Sequence, residues 1–188
     1  MDLRSVVIRK ATPGDSTGIL QCLRIAFEPY RASYPPEAYL DTVITELALQ
    51  HRLATMSVFV AVSDAGEIVG SIACHRVDPA VHATTHAVVH ANEGHLRGMA
   101  VLPDWQGSGI AQQLLDAAES ELRAEGCSLI SLNTTEPLAK AIHFYERNGY
   151  RSSGNDTYYC GMRRLQFIKP IALKTGTRDI VMVPLQFP

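Results

Sequence analysis

Gln106-Gly107-Ser108-Gly109 lies between an apolar run, Leu96-Arg97-Gly98-Met99-Ala100-Val101-Leu102, and a segment in which Ile110, Leu114, Ala118 and Leu122 recur every four residues. A strand, a glycine loop and a helix N-terminus in that order can bind an anion. Glycines let backbone approach a ligand closely. The first helical turn carries unpaired N–H groups and a dipole that favours negative charge. The loop has no Lys-Ser/Thr pair, so it is not a nucleoside-triphosphate loop, and it lacks the three-glycine spacing of a dinucleotide fingerprint. A phosphate site and a plain tight turn both fit these residues.

Two other sets of residues could carry chemistry. His82, His86 and His90 are four residues apart, with His95 just beyond. On a helix the first three would share a face, as a metal site requires. The intervening residues do not form a strong helical pattern, and no Cys, Asp or Glu joins at ligand spacing. The expectation is a histidine-bearing loop or hairpin at a site rim, with no metal. Cys22, Cys74, Cys127 and Cys160 are widely separated and form no Cys-x-x-Cys pair. They read as buried thiols in a reducing, cytoplasmic setting.

The elements that must position these groups follow from periodicity and punctuation. Val6 to Arg9 is a short strand, and Thr12-Pro13-Gly14-Asp15 is a turn suited to capping a helix. Ile19, Cys22, Leu23, Ala26 and Phe27 recur at helical spacing. Glu28 to Pro36 holds three prolines and two tyrosines and reads as a loop. Glu37 to Leu53 reads as one further helix. Ser57–Val62 and Ile68–Cys74 flank the turn Asp64-Ala65-Gly66-Glu67, a hairpin pattern. The central helix from Ile110 should stop at Gly126. Ser128 to Asn133 is a buried strand, and Ala139 to Asn148 a short helix ending at Gly149. Tyr150-Arg151 and Tyr158 to Leu165 read as closing strands around the turn Ser153–Asp156. Ile180 to Val183 is strand-like, between Pro170 and Pro184.

The chain has 188 residues, 46% hydrophobic and 19% charged, enough for one domain with a sizeable core. A net charge of −2 gives no general attraction to nucleic acid or to an anionic membrane. No apolar run has the length of a membrane span, and the N-terminus has no signal-like apolar stretch.

Gln106-Gly107-Ser108-Gly109-Ile110-Ala111 resembles the Arg/Gln-x-x-Gly-x-Gly/Ala pattern of the GNAT N-acetyltransferase superfamily. Ala141-Ile142-His143-Phe144-Tyr145-Glu146-Arg147-Asn148-Gly149-Tyr150 is similar to that family's Ala-x-x-x-Tyr-x-x-x-Gly-Phe signature. The resemblance covers roughly residues 5 to 165, and so implies a domain over 1–165 and a C-terminal extension over 166–188. It implies a mixed α/β GNAT fold: a central, mostly antiparallel sheet split into a V and flanked by about four helices.

The implied cosubstrate is acetyl-CoA, and the implied acceptor a primary amine on a small molecule or protein. No metal, nucleic acid or membrane partner is implied, and a homodimer stays open. Amides of Gln106, Gly107, Ser108, Gly109, Ile110 and Ala111 would hold the pyrophosphate. Met99, Ala100 and Val101 would run beside the pantetheine arm, with the Met99 and Val101 amides polarising the acyl carbonyl. Gly98 would suit the strand irregularity that the family uses to splay its sheet. Tyr145 falls on the tyrosine that protonates the departing thiolate. A phenol near pKa ~10 can donate to a thiol near ~8.5 as the C–S bond breaks. The signature often begins with Asn where this chain has Leu138, so Asn133 is the candidate to supply the lost contact.

For the base, the family position that carries Glu in some members holds His95, with Glu93 as the other candidate. Imidazole is a reasonable base near neutral pH. Phe27, Tyr30 and Tyr34 fall in the segment that borders the acceptor site in the family. The implied reaction is direct attack in a ternary complex, since no Cys or Ser sits in a nucleophile motif. The alternative is the same fold used without turnover, as an acyl-CoA sensor or an interaction module.

Overall fold

The computed structural model describes residues 5–78, 90 and 92–172. Strand β1 (Val6–Lys10) pairs antiparallel with β2 (Ser57–Ser63), and β2 with β3 (Ile68–Arg76). Between β1 and β2 lie helices α1 (Ser16–Phe27), α2 (Pro36–Val43) and α3 (Glu46–Thr55). Strand β4 (Glu93–Val101) leads through the glycine loop into α4 (Ile110–Ala124). Then follow β5 (Leu129–Thr135), α5 (Ala139–Arg147), β6 (Arg151–Ser152), β7 (Thr157–Tyr159) and β8 (Met162–Pro170). The sheet order is β1-β2-β3-β4-β5-β8-β6, with β7 on β8. Only β4–β5 is parallel among these pairs.

That parallel pair is short. Glu93 to Leu96 register with Leu129 to Leu132, and the pairing ends there. Beyond it β4 stays on β3 and β5 stays on β8, so the sheet opens into a V. The cause sits on β4. Ser71 registers with Ala100 and Ala73 with Arg97, so Gly98 and Met99 together oppose the single residue Ile72. Gly98 takes φ +64°, a left-handed conformation that glycine adopts without penalty.

Helix α4 lies close against the sheet because two strand residues are glycines. A Cβ on Gly94 would meet the Leu122 side chain at 2.7 Å, and one on Gly70 would meet Leu114 at 3.0 Å. Ile110, Leu114, Leu115, Ala118 and Leu122 are all buried, as the four-residue repeat requires. Glu119 is buried on the same helix, where it accepts from Tyr150 Oη (3.0 Å), Lys169 Nζ (2.7 Å) and Arg123 Nη2 (2.8 Å).

The structure corrects several sequence expectations. Glu37 to Leu53 is two helices, which makes five in all among the described residues. The run Thr42-Val43-Ile44-Thr45 is β-branched throughout, which weakens helix. Ile44 takes φ +43°, and Thr45 starts α3 by accepting from the Ala48 amide at 3.2 Å. Glu28–Ser33 is a 3-10 helix, not a loop. The closing hairpin turns at Cys160-Gly161, both at positive φ, so Tyr158 to Leu165 is two strands, not one. That turn also leaves Cys160 exposed, unlike the other three cysteines. Strand β8 runs to Pro170, so residues 166–170 belong to the sheet rather than to an extension, and the Ile171 amide donates to Ser128 O at 2.9 Å. Ile180–Val183 lies outside the described residues.

Among the described residues, no helix is long and apolar enough to cross a membrane.

Candidate active site

A cavity of about 520 Å³ opens where β4 and β5 part. One wall is the end of β4 from His95 to Val101, and the other is Leu132 to Thr135 of β5. Helix α5 supplies Ala141, Phe144 and Tyr145. The end of α1 and the 3-10 helix after it bring Phe27 and Tyr30, and Tyr34 follows. Gln106, Gly107 and Ala111 stand at the loop end.

The backbone of β4 is exposed to this split for a topological reason. The Leu102 amide donates to Val69 O, toward β3. Strand alternation then turns the amide of Val101 the other way, with Met99 beside it in the bulge. No strand pairs with that edge beyond Leu96. Both residues line the cavity, as does Ala100. A chain running along the split could therefore complete the ladder and meet these donors.

The loop fits a phosphate in three respects. Gly107 (φ +80°) and Gly109 (φ +87°) are left-handed, and nothing lies within 4 Å of the Cβ position at either. Gly109 is the N-cap of α4 and places no side chain over the first amides. The fold of the loop is held from inside: Gln106 Nε2 donates to Val101 O (3.2 Å), and Ser108 Oγ to Trp105 O (2.5 Å). The Ile110 side chain is in the core, so only its backbone is available to a ligand. Ser108, Gly109 and Ile110 border the mouth without lining the cavity.

Tyr145 is buried, and its hydroxyl donates to Met99 Sδ at 3.3 Å. Its ring packs edge-on against Phe144 (5.5 Å) and Tyr150 (5.6 Å). Burial in this apolar setting raises the phenol above its ordinary pKa, so it stays protonated and able to donate. Leu138 caps α5 without a side-chain hydrogen bond and lines the cavity; exposed Asn133 lines it too, on the neighbouring strand.

His95 faces the cavity, and its Nδ1 is 2.8 Å from Ser131 Oγ. Ser131 Oγ donates to Gly94 O at 3.4 Å. In the tautomer whose Nδ1–H donates to Ser131, the basic lone pair is on Nε2. The His75 ring stacks edge-on at 5.8 Å and fixes the imidazole from behind. Glu93 does not line the cavity. Buried at the start of β4, it accepts from the His90 amide at 3.0 Å, so its carboxylate is engaged in the local fold.

The aromatic residues divide. Phe27 and Tyr30 pack together at 6.5 Å on the cavity wall. Tyr34 is buried with Tyr39, Ala38 and Val43, and its hydroxyl meets Thr135 Oγ1 at 2.5 Å. It joins the α2 region to β5 and also lines the cavity. His82 and His86 lie outside the described residues, and His90 is exposed. Among the described residues no group of three or more His, Cys, Asp or Glu could hold a metal ion.

One cavity residue has no signal in the periodicity. Arg52 occupies the last turn of α3 and is only 8% exposed. A Cβ on Gly98 would meet its Nη1 at 2.3 Å, so the guanidinium lies against the β4 bulge. Its charge alone places an arginine on the solvent face, and tertiary packing against the bulge buries this one.

Comparison with known proteins agrees with this geometry. The model of the acetyltransferase (GNAT) family matches residues 19–150. An aminoglycoside N(6')-acetyltransferase type 1 of Stenotrophomonas maltophilia is 28% identical over 152 residues, covering 81% of this chain and 90% of that protein. Among solved structures, the PaiA N-acetyltransferase of Thermoplasma acidophilum, in complex with coenzyme A, superposes with a TM-score of 0.70 at 18% identity, covering 89% and 99% of the two chains. The ribosomal-protein-S18-alanine N-acetyltransferase of Escherichia coli gives 0.65 at 17% identity, covering 94% and 100%.

Proposed function

The chain belongs to the acetyltransferase (GNAT) family, and from that premise we propose that it transfers an acetyl group from acetyl-CoA to a primary amine by direct attack in a ternary complex. The observation that carries this reading is the end of β4–β5 pairing at Leu96, with the Tyr145 hydroxyl already directed at a sulfur inside the gap. Acetyl-CoA supplies an activated acyl thioester and a thiolate leaving group.

The chain's residues would act as follows. Amides from Gln106 to Ala111 hold the pyrophosphate. The Val101 and Met99 amides hold the pantetheine arm and polarise the carbonyl oxygen. An ammonium has no lone pair, so His95 Nε2 takes a proton from the acceptor, directly or through water. The C–N bond forms as the C–S bond breaks, and Tyr145 donates its proton to the departing sulfur. The nitrogen loses its second proton to solvent, and Tyr145 is reprotonated from the same source. The products are the N-acetyl amine and free coenzyme A. Phe27 and Tyr30 border the acceptor.

The test is thiol release from acetyl-CoA with pooled amines, comparing wild type with Tyr145→Phe. Release that the variant loses supports this assignment. Acetyl-CoA binding without release from any pool would favour a sensor on the same fold.

A further inference from the structure

The cavity carries a charge pattern that the acetyl-transfer reading does not use. Its lining holds four cationic side chains, Arg52, Arg97, Lys140 and Arg164, against one carboxylate, Asp41. Asp41 is already engaged, accepting from Tyr159 Oη. Arg52 is the anomaly. It is 92% removed from solvent, yet among the described residues its guanidinium makes no hydrogen bond or ion pair. Burial, and then repulsion from Arg97, brings the Arg52 pKa down to about 10.

A buried guanidinium without a counterion is costly, and a second one nearby increases the cost. Proteins keep such groups where a ligand brings the missing charge. The coenzyme pyrophosphate does not fit the position. Arg52 lies against Gly98, roughly 10 Å along β4 from Val101, where the strand leaves for the glycine loop. It lines the same cavity as His95, Phe27 and Tyr30, the residues that the proposed reaction sets at the acceptor.

We infer that Arg52, supported by Arg97, binds a carboxylate on the acceptor, so that the substrate is a small amine bearing a carboxylate and not a polycationic one. A guanidinium fork matches a carboxylate in two parallel hydrogen bonds. The pairing would neutralise Arg52 and fix the distance from the carboxylate to the reacting amine. A polycation would instead meet four like charges and one occupied carboxylate. The aminoglycoside specificity in the name of the Stenotrophomonas relative therefore does not carry over to this cavity.

This inference rests on the acetyl-transfer reading, and the experiment separates the two. Thiol release is measured with α-, β- and γ-amino acids and short dipeptides, each beside its own carboxamide, and with an aminoglycoside. Acetyl-CoA affinity is followed by calorimetry. At least one carboxylate acceptor should exceed its carboxamide by about 10²-fold in kcat/KM. Arg52→Met should collapse that ratio to near unity, chiefly through KM, with acetyl-CoA affinity retained. Arg52→Lys should restore part of it, which a purely structural role would not do.

Equal rates for acids and carboxamides, or a ratio that survives Arg52→Met, would overturn the inference. So would turnover confined to the aminoglycoside, or acetyl-CoA binding with no release from any acid. If Arg52→Met does not fold, the wild-type ratio alone decides. Failure to bind acetyl-CoA would remove the acetyl-transfer reading itself.

Discussion

In the proposed reaction, Tyr145 and His95 divide the proton work between two environments. The phenol is buried against Phe144 and Tyr150 and donates to a sulfur, and its pKa is raised by that burial. It stays protonated throughout the neutral range, so it adds no limb to the pH–rate profile there. Tyr145→Phe should lower kcat by about 10²-fold, a flat loss across neutral pH, with acetyl-CoA affinity little changed. Steady-state rates from pH 6 to 9 check this. If His95 is the base, the acid limb of the pH–rate profile depends on it, since protonated imidazole is no base. His95→Ala should slow turnover and remove that limb. A limb of unchanged shape in the variant would retire His95. The place of Tyr145 at the cavity was legible from a ten-residue signature, whereas spacing along a strand does not reveal that a nearby loop amide engages the Glu93 carboxylate away from the cavity.

At the scale of elements, two polar clusters hold the frame. Glu119 lies on the buried face of α4 and ties it to β8 through Lys169 and to Tyr150 after α5. Glu119→Ala would leave a lysine, an arginine and a buried phenol without their acceptor. Denaturant titration should show a loss of about 3 kcal/mol. Local periodicity gives no sign that Glu119 is buried, because its partners come from residues 150 and 169, far along the chain. At the other edge, Asp15 accepts from Arg9 (2.7 Å) and from the Thr12 amide and hydroxyl. The Arg9 hydrogen bond, with those from Thr12, holds the Asp15 pKa well below the usual carboxylate range. A depressed folded pKa means stability that is present above the unfolded value, ~3.9, and lost as pH falls through the folded one. Asp15→Asn should therefore cost about 1 kcal/mol at pH 7 and progressively less toward acid, read from urea midpoints at pH 7 and pH 3. The turn and cap at residues 12–15 were readable from Thr-Pro-Gly-Asp alone. The break between α2 and α3 was not, since the apolar spacing continues across it and only the β-branched run marks it.

For the whole molecule, the fold follows from one interruption. A bulge at Gly98 ends parallel pairing at Leu96, and the two halves of the sheet diverge around the cavity. Most of this was legible: strand-loop-helix order, the hairpin and the glycine loop are local patterns. The acceptor side was less so, because Arg52 reaches the bulge through tertiary packing that no local repeat encodes. If this split and its glycine loop bind acetyl-CoA, calorimetric titration reads that binding. Wild type should bind, and saturation at about 100 times Kd should add about 2.7 kcal/mol to stability. Gly109→Glu should abolish binding while the protein stays folded, because a carboxylate then points at the phosphate site from a position with open space around it. Unchanged affinity in Gly109→Glu would contradict the assignment.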